Sequence, residues 1–277
     1  MVPEVNHILL TEENRGEFES VFPAVFWKGT NRISLGAYGS EGEILGALSL
    51  VLADDQLEIE WLYVIPERRR QGIARGLIEE LQRFISSTGE WYPVNARFEV
   101  SEQDVSLHRF FLSLPDAEVA YSHERYYVTA EDIRNSPKLH QERTDVVEMQ
   151  AFFEREESWQ KRVLNTLEKT YGYVVEDYES WKEDCVPDLC LYLSMENRLL
   201  CGIFVQRAGD QDLELSWLYG QQKRGLFYIL GEVVRKAERL FPECSLTFET
   251  INEQSKRLAE HLFPNALTSH VYEALWQ

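Results

Sequence analysis

The chain is short of cations, of cysteine and of any long apolar run, and each shortage argues against a class of function. Its 277 residues hold 28 Lys and Arg against 47 Asp and Glu, a formal net charge of −19. Such a surface repels phosphate backbones and anionic lipid, so neither nucleic acid nor a membrane is expected as a partner. Amines and other cations are mildly favoured instead. The four cysteines, Cys185, Cys190, Cys201 and Cys244, all stand in the second half, with no C-x-x-C pair and no suitable His cluster. That spacing suggests neither a zinc site nor a disulfide framework, so no metal is expected. No apolar stretch approaches the roughly 20 residues that span a bilayer. The opening "MVPEVNHILLTEEN" carries no basic segment followed by an apolar one. Cytoplasmic residence with free thiols is the expectation.

What the chain does have is 44% hydrophobic and 12% aromatic residues, enough for sizeable cores, and an internal repeat. Residues 57–63 read "LEIEWLY" and residues 213–219 read "LELSWLY", differing only by Ile/Leu and Glu/Ser. Each copy is followed by a basic, Gly-containing turn, a long helical pattern, a strand pattern ("VNARFEV" at 94–100, "SLTFETI" at 245–251) and a second helix-like stretch. Ser122–His123 near the end of the first copy matches Ser269–His270 near the end of the second. This order predicts a duplicated α/β domain, with units over 1–130 and 146–277 and a polar seam at 129–145. A helical pattern is expected from Val146 through Leu167, and a broken or kinked helix over 18–26, where Pro23 interrupts the spacing.

An acidic protein that places Arg68, Arg69, Arg70 and Arg75 between a strand and a helix calls for a reason. Ile73, Leu77, Ile78, Leu81, Phe84 and Ile85 recur on one helical face, so the helix begins near Gly72. Its first turn offers unpaired N–H groups and the positive end of the helix dipole, and Gly72 admits close approach of a ligand. The arrangement suits a phosphate or pyrophosphate; the alternative is an exposed basic turn that keeps its charge in water. Neither G-x-x-x-x-G-K-[ST] nor G-x-G-x-x-G is present. What stands there is Arg69-Arg70-Gln71-Gly72-Ile73-Ala74, the pattern R-x-x-G-x-A, preceded by "LYVIP" and followed by "RGLIEEL".

"WLYVIPERRRQGIARGLIEEL" resembles the acetyl-CoA motif of the GNAT superfamily of N-acetyltransferases, and the order of elements resembles that family over residues 7–128. The second half shares the order with a damaged motif, "YGQQKRG", so the whole resembles a tandem GNAT protein. The resemblance implies two tandem domains, each a mixed, mainly antiparallel twisted sheet flanked by helices. It implies that the backbone of Leu62, Tyr63 and Val64 hydrogen-bonds the pantetheine arm of acetyl-CoA. N–H groups of Arg70, Gln71, Gly72, Ile73, Ala74 and Arg75 would hold the pyrophosphate, with Arg69 at the first motif position.

Acetyl transfer to a small-molecule or peptide amine needs a neutral nucleophile, a stabilised oxyanion and a proton for the departing thiolate. On an alternating strand Glu58, Glu60, Leu62 and Val64 would share one face, which makes Glu58 and Glu60 the candidate bases; the alternative is that one or both only bind a cationic substrate. The family's later helix usually ends in a catalytic Tyr. Here "DVSLHRFF" puts Asp104 at its first motif position and Phe111 at the Tyr position, leaving His108, Tyr121, Tyr126, Tyr127 or water as proton donor. Two other readings stay open: a non-catalytic acetyl-CoA-binding or regulatory module, and a GNAT-like aminoacyl transferase, against which the −19 charge argues.

Overall fold

The computed structural model describes every residue except 1–4, 28–30, 54–55, 90–91, 102–103, 140–148, 176, 196–197, 209–211, 221–222 and 277. In chain order the strands are β1 (Val5–Leu9), β2 (Arg32–Gly39), β3 (Ile44–Ala53), β4 (Gln56–Val64), β5 (Val94–Val100) and β6 (Glu118–Val128). There follow β7 (Gln150–Ala151), β8 (Leu191–Met195), β9 (Arg198–Arg207), β10 (Asp212–Gly220), β11 (Ser245–Thr250) and β12 (Leu267–Trp276). The helices are α1 (Ile73–Thr88), α2 (Ser106–Leu112), α3 (Ala130–Arg134), α4 (Glu157–Tyr171), α5 (Tyr178–Asp184), α6 (Lys223–Leu240) and α7 (Glu253–Leu262).

Two compact units result, one of residues 1–122 with 270–277 and one of residues 123–269. In the first, the sheet order is β1-β2-β3-β4-β5-β12, antiparallel except for the parallel β4/β5 pair. The run "ILGALSLVLA" of β3 is nearly all apolar because both faces of this central strand are covered. On one face Leu48 and Leu50 pack with Ile73, Leu77, Ile78 and Leu81 of α1. On the other, Ala47 packs with Phe18, Val21 and Phe22. The segment carrying these aromatics, expected as a broken or kinked helix, is broken, and its pieces are not α-helical. It forms two 3-10 turns, Arg15–Phe18 and Ala24–Trp27, and Pro23, which has no N–H to donate, separates them.

The second unit repeats the plan in the order β6-β11-β10-β9-β8-β7, with β10/β11 its parallel pair. α6 and α7 cover one face and α4 and α5 the other. The boundaries differ from the expected 1–130 and 146–277 at two strands. Glu124–Val128 of β6 pair with Leu246–Thr250 of β11, while His270–Trp276 pair with Val94–Val100 of β5, so the last strand completes the first unit. Part of the expected seam, 140–145, and the start of the expected helical pattern, 146–148, lie outside the described residues. Among the described residues the helical pattern expected through Leu167 begins only at Glu157. Gln150–Ala151 are a strand, Phe152–Glu154 a 3-10 turn, and α4 begins at Glu157 after the extended Glu156.

Candidate active site

The site is organised by one irregularity in β4. Leu57–Ile59 pair with Leu52–Leu50, whereas Trp61–Val64 pair with Ser49–Gly46, so Glu60 is an extra residue, a β-bulge. The bulge shifts the alternation. Ile59, Leu62 and Val64 join the α1-side core with Leu57, while Trp61 and Tyr63 pack on the opposite face. Glu58 and Glu60 therefore do not share a face with Leu62 and Val64, as unbroken alternation would require. Beyond the bulge β4 also leaves its neighbour: the parallel pairing with β5 covers only Leu57–Ile59. The β5-side backbone edge of Leu62, Tyr63 and Val64 has no strand partner among the described residues.

The turn that follows β4 has an unusual backbone. Pro66–Arg68 form a 3-10 turn, then Arg70 (φ 60°) and Gly72 (φ 86°) take left-handed conformations before α1 begins at Ile73. Such alternation turns successive N–H groups inward to form an anion nest. Among the described residues, no N–H from Arg70 through Arg75 donates a hydrogen bond; the first to do so is Gly76, to the Gly72 carbonyl at 2.9 Å. A Cβ built on Gly72 meets nothing within 4 Å, so the space in front of the turn is open. The side chains have separate tasks. Arg69 donates through Nε to the Val64 carbonyl (3.0 Å) and lies over the Tyr63 ring. Arg75 donates to the Ser113 carbonyl and hydroxyl, both at 3.0 Å, tying α1 to the end of α2. Gln71 donates to the Glu67 carbonyl, Ile73 is buried, and Ala74 is half-buried in the first turn. Arg70 has no hydrogen-bond or ion-pair partner among the described residues.

On the face of β4 away from α1 lies a polar group of side chains. Glu60 receives two hydrogen bonds from Arg32, 2.8 Å from Nε and 2.9 Å from Nη2. Ser34 and Ser49 hydroxyls meet at 3.2 Å in the interior. Gln56 donates to Glu58 at 2.9 Å, and the Trp61 indole N–H donates to the Val21 carbonyl at 2.9 Å. Phe26 lies against Trp61 at 5.4 Å between ring centroids. Arg32 was not among the residues expected from sequence. It opens a strand 28 positions before Glu60, and only the register joins them.

Helix α2 settles the place of Phe111. It is 2% exposed and stacks on Phe98 at 4.6 Å, so it is core. Asp104 accepts from both the N–H and the hydroxyl of Ser106 and is thereby held below the usual carboxylate range. Of the substitute proton donors, Tyr126 belongs to the second unit's core. It stacks on Phe248, and burial, followed by the charge of Glu124, pushes its phenol up to about 12. His108 lies against Tyr272, centroids 4.6 Å apart, and Tyr121 also meets Tyr272. Tyr272 comes from β12, at the far end of the chain, and no sequence signal placed it here.

The second unit keeps the frame and changes its contents. Ser216 occupies the bulge equivalent to Glu60, and β10 pairs with β11 only over Asp212–Glu214. Its polar face is filled with rings: Phe204 stacks on Trp217 at 5.1 Å, and the Tyr173 hydroxyl sits 3.5 Å from Ser216 while accepting from the Trp181 indole at 3.0 Å. Between Gly220 and the start of α6 at Lys223 stand only 221–222, outside the described residues, where the first unit has the whole span from Val64 to Ile73. Gly225 lies inside α6, where an added Cβ would come within 2.4 Å of the Cys201 sulfur. Its lack of a side chain serves helix–strand packing.

Comparison with known proteins gives one family match: residues 3–114 fit the model of the acetyltransferase (GNAT) family. No curated protein matches the chain. Among solved structures, a tandem GNAT protein from the clavulanic acid biosynthesis pathway superposes with a TM-score of 0.69 at 14% identity, covering 98% of each chain. A GCN5-related N-acetyltransferase from Sphaerobacter thermophilus gives 0.64 at 13% identity, over 100% of this chain and 96% of that one. A glucosamine N-acetyltransferase region of a fungal multi-domain GH3 β-N-acetylglucosaminidase gives 0.65 at 11% identity, over 99% of this chain but 38% of that one. Residues 3–114 are thus a domain of the GNAT acetyltransferase family, in a chain with the fold of a tandem GNAT protein.

Proposed function

We propose that the first unit is an acetyl-CoA-dependent N-acetyltransferase acting on a primary amine. The fold supports acyl transfer in general. The observation that carries the finer reading is the run of undonated N–H groups from Arg70 through Arg75, opening beside the unpaired edge of β4. The residues fit the cofactor. The nest and the α1 N-terminus suit a pyrophosphate, the Arg70 guanidinium offsets its charge, and the strand edge along Leu62, Tyr63 and Val64, whose Val64 carbonyl is already held by Arg69, offers backbone groups to an amide-bearing arm. Acetyl-CoA supplies the activated acetyl group.

This chain's own residues do the rest. Glu58 gives the acceptor site its negative charge, which draws an ammonium from water, and takes its proton directly or through water, while Glu60 beside it is held by Arg32. Trp61, Phe26 and the aromatic segment beneath them exclude solvent on that side. The second unit acts as a scaffold: its short strand-to-helix connection and ring-filled face leave no equivalent nest or acceptor face among the described residues. The test is thiol release from acetyl-CoA with a panel of primary amines. Glu58→Gln should lower kcat by about 10²–10⁴ while leaving acetyl-CoA affinity unchanged. Tight cofactor binding with no amine-dependent thiol release would favour a non-catalytic acetyl-CoA module, the reading that the burial of Phe111 supports.

A further inference from the structure

We infer that Arg32 is a positioning residue that cancels the charge of Glu60, so that the acceptor site presents one uncompensated carboxylate, Glu58, to an incoming alkylammonium. The inference rests on the reading of the first unit as an amine acetyltransferase. Arg32 pairs across the sheet with Val51, and Val51 with Glu58, so all three stand in one row on one face. The bulge turns Glu60 toward that row, where Arg32 holds it through two hydrogen bonds at 2.8 and 2.9 Å. Both side chains are largely covered, at 23% and 25% exposure, so the pair is less screened than a surface one.

The consequence is a matter of charge balance. A bound amine reacts only after losing its proton, and every uncompensated carboxylate beside it strengthens its hold on that proton. Two free carboxylates would bind the ammonium tightly and keep it unreactive. One carboxylate binds it and still releases it. Other groups act on the same position. Tyr63 lies on the Trp61 side of β4; the β5 residue beside Glu58 is the uncharged Asn95, and the exposed Arg97 and Glu99 follow it on the same face beyond the paired stretch. On β3 the facing residues, Ser49 and Val51, are uncharged. The second unit has Ser216 in place of Glu60, a residue that carries no charge to cancel.

The test uses the full chain loaded with coenzyme A and propylamine as probe, with binding measured by calorimetry across pH. Thiol release from acetyl-CoA is measured in parallel, where the wild type turns propylamine over. Arg32→Met should bind propylammonium about tenfold more tightly, the effect of one neighbouring charge that moves the amine's pKa by about one. KM should fall with kcat, and the acid limb of kcat, which reports the bound complex, should move up by about one pH unit. Glu60→Gln should do the opposite, with weaker binding and a lower limb. The double variant, again without net charge at this pair, should return close to wild type, and Arg32→Lys should restore most of it.

A merely structural pair would give losses of the same sign in both single variants. That result, or unchanged binding and limb in Arg32→Met, overturns the inference. Calorimetry decides it even without turnover, whereas the transferase reading falls only if no amine of the panel yields thiol release. The two failures are therefore distinguishable.

Discussion

Trp276 stands next to the end of the chain, yet its removal should be felt in the core of the first unit. Its side chain is 1% exposed and packs against Phe111 at 5.7 Å, and with Ala274 it belongs to the cluster built on α1 and β5. A buried tryptophan covers about 200 Å², worth about 5 kcal/mol at 25 cal/mol per Å². One effect works against it: the indole N–H is buried without a hydrogen-bond partner among the described residues, a state that costs about 1–3 kcal/mol. Trp276→Ala removes both, so the net loss is about 3 kcal/mol, at the low end for such truncations.

Trp276→Phe keeps most of the ring and drops the orphan donor, and should lie within about 1 kcal/mol of wild type. Native-state hydrogen exchange is the assay, because two units need not unfold together. A loss of about 3 kcal/mol should speed exchange of the most protected amides of β5 and α1 about a hundredfold. If exchange in Trp276→Ala accelerates in β10 and α6 instead, or nowhere, β12 does not complete the first unit and the strand assignment is wrong.

Two further outcomes test individual residues. Phe111→Tyr, which restores the family's usual residue, should not raise thiol release; its hydroxyl would enter the Phe98–Trp276 stack and destabilise the first unit by about 1–3 kcal/mol, measured by urea unfolding. Gly225→Ala should cost about 1–3 kcal/mol through its clash with Cys201, and combining it with Cys201→Ala should cost less than the sum of the two singles in the same unfolding measurement.

The repeated heptad located both bulged strands, and the apolar face from Ile73 to Leu81 located α1 and its open first turn. These are local signals: a strand's β-branched and aromatic content, a helix's spacing and a glycine with a positive φ are written into neighbouring residues. The bulge at Glu60 was not legible, because "LEIEWLY" alternates without a break and the extra residue exists only relative to β3. Its loss of alternation moved Leu62 and Val64 to the other face from the carboxylates. Arg32 was missed for a related reason, since its meaning depends on the register of β2 against β3 and β4. The exchange of final strands was equally hidden. An amphipathic strand such as "HVYEALW" suits either sheet edge, and the choice of partner follows from which core its buried residues fill. The segment at 18–26 showed the limit of periodicity, which located the buried aromatics and the break at Pro23 but gave helix where two 3-10 turns occur.

The most direct test of the central claim is the thermal stabilisation of the full chain by acetyl-CoA, compared between wild type and Ala74→Glu. Glu in the first turn of α1 favours the helix dipole by a few tenths of a kcal/mol up to about 1 kcal/mol, so the variant should fold at least as well without ligand. The same charge stands in the nest and repels a pyrophosphate. Acetyl-CoA at about a hundred times its Kd should stabilise the wild type by about 2.7 kcal/mol and leave Ala74→Glu unchanged. Equal stabilisation of both proteins, or none of the wild type at millimolar acetyl-CoA, would contradict the claim.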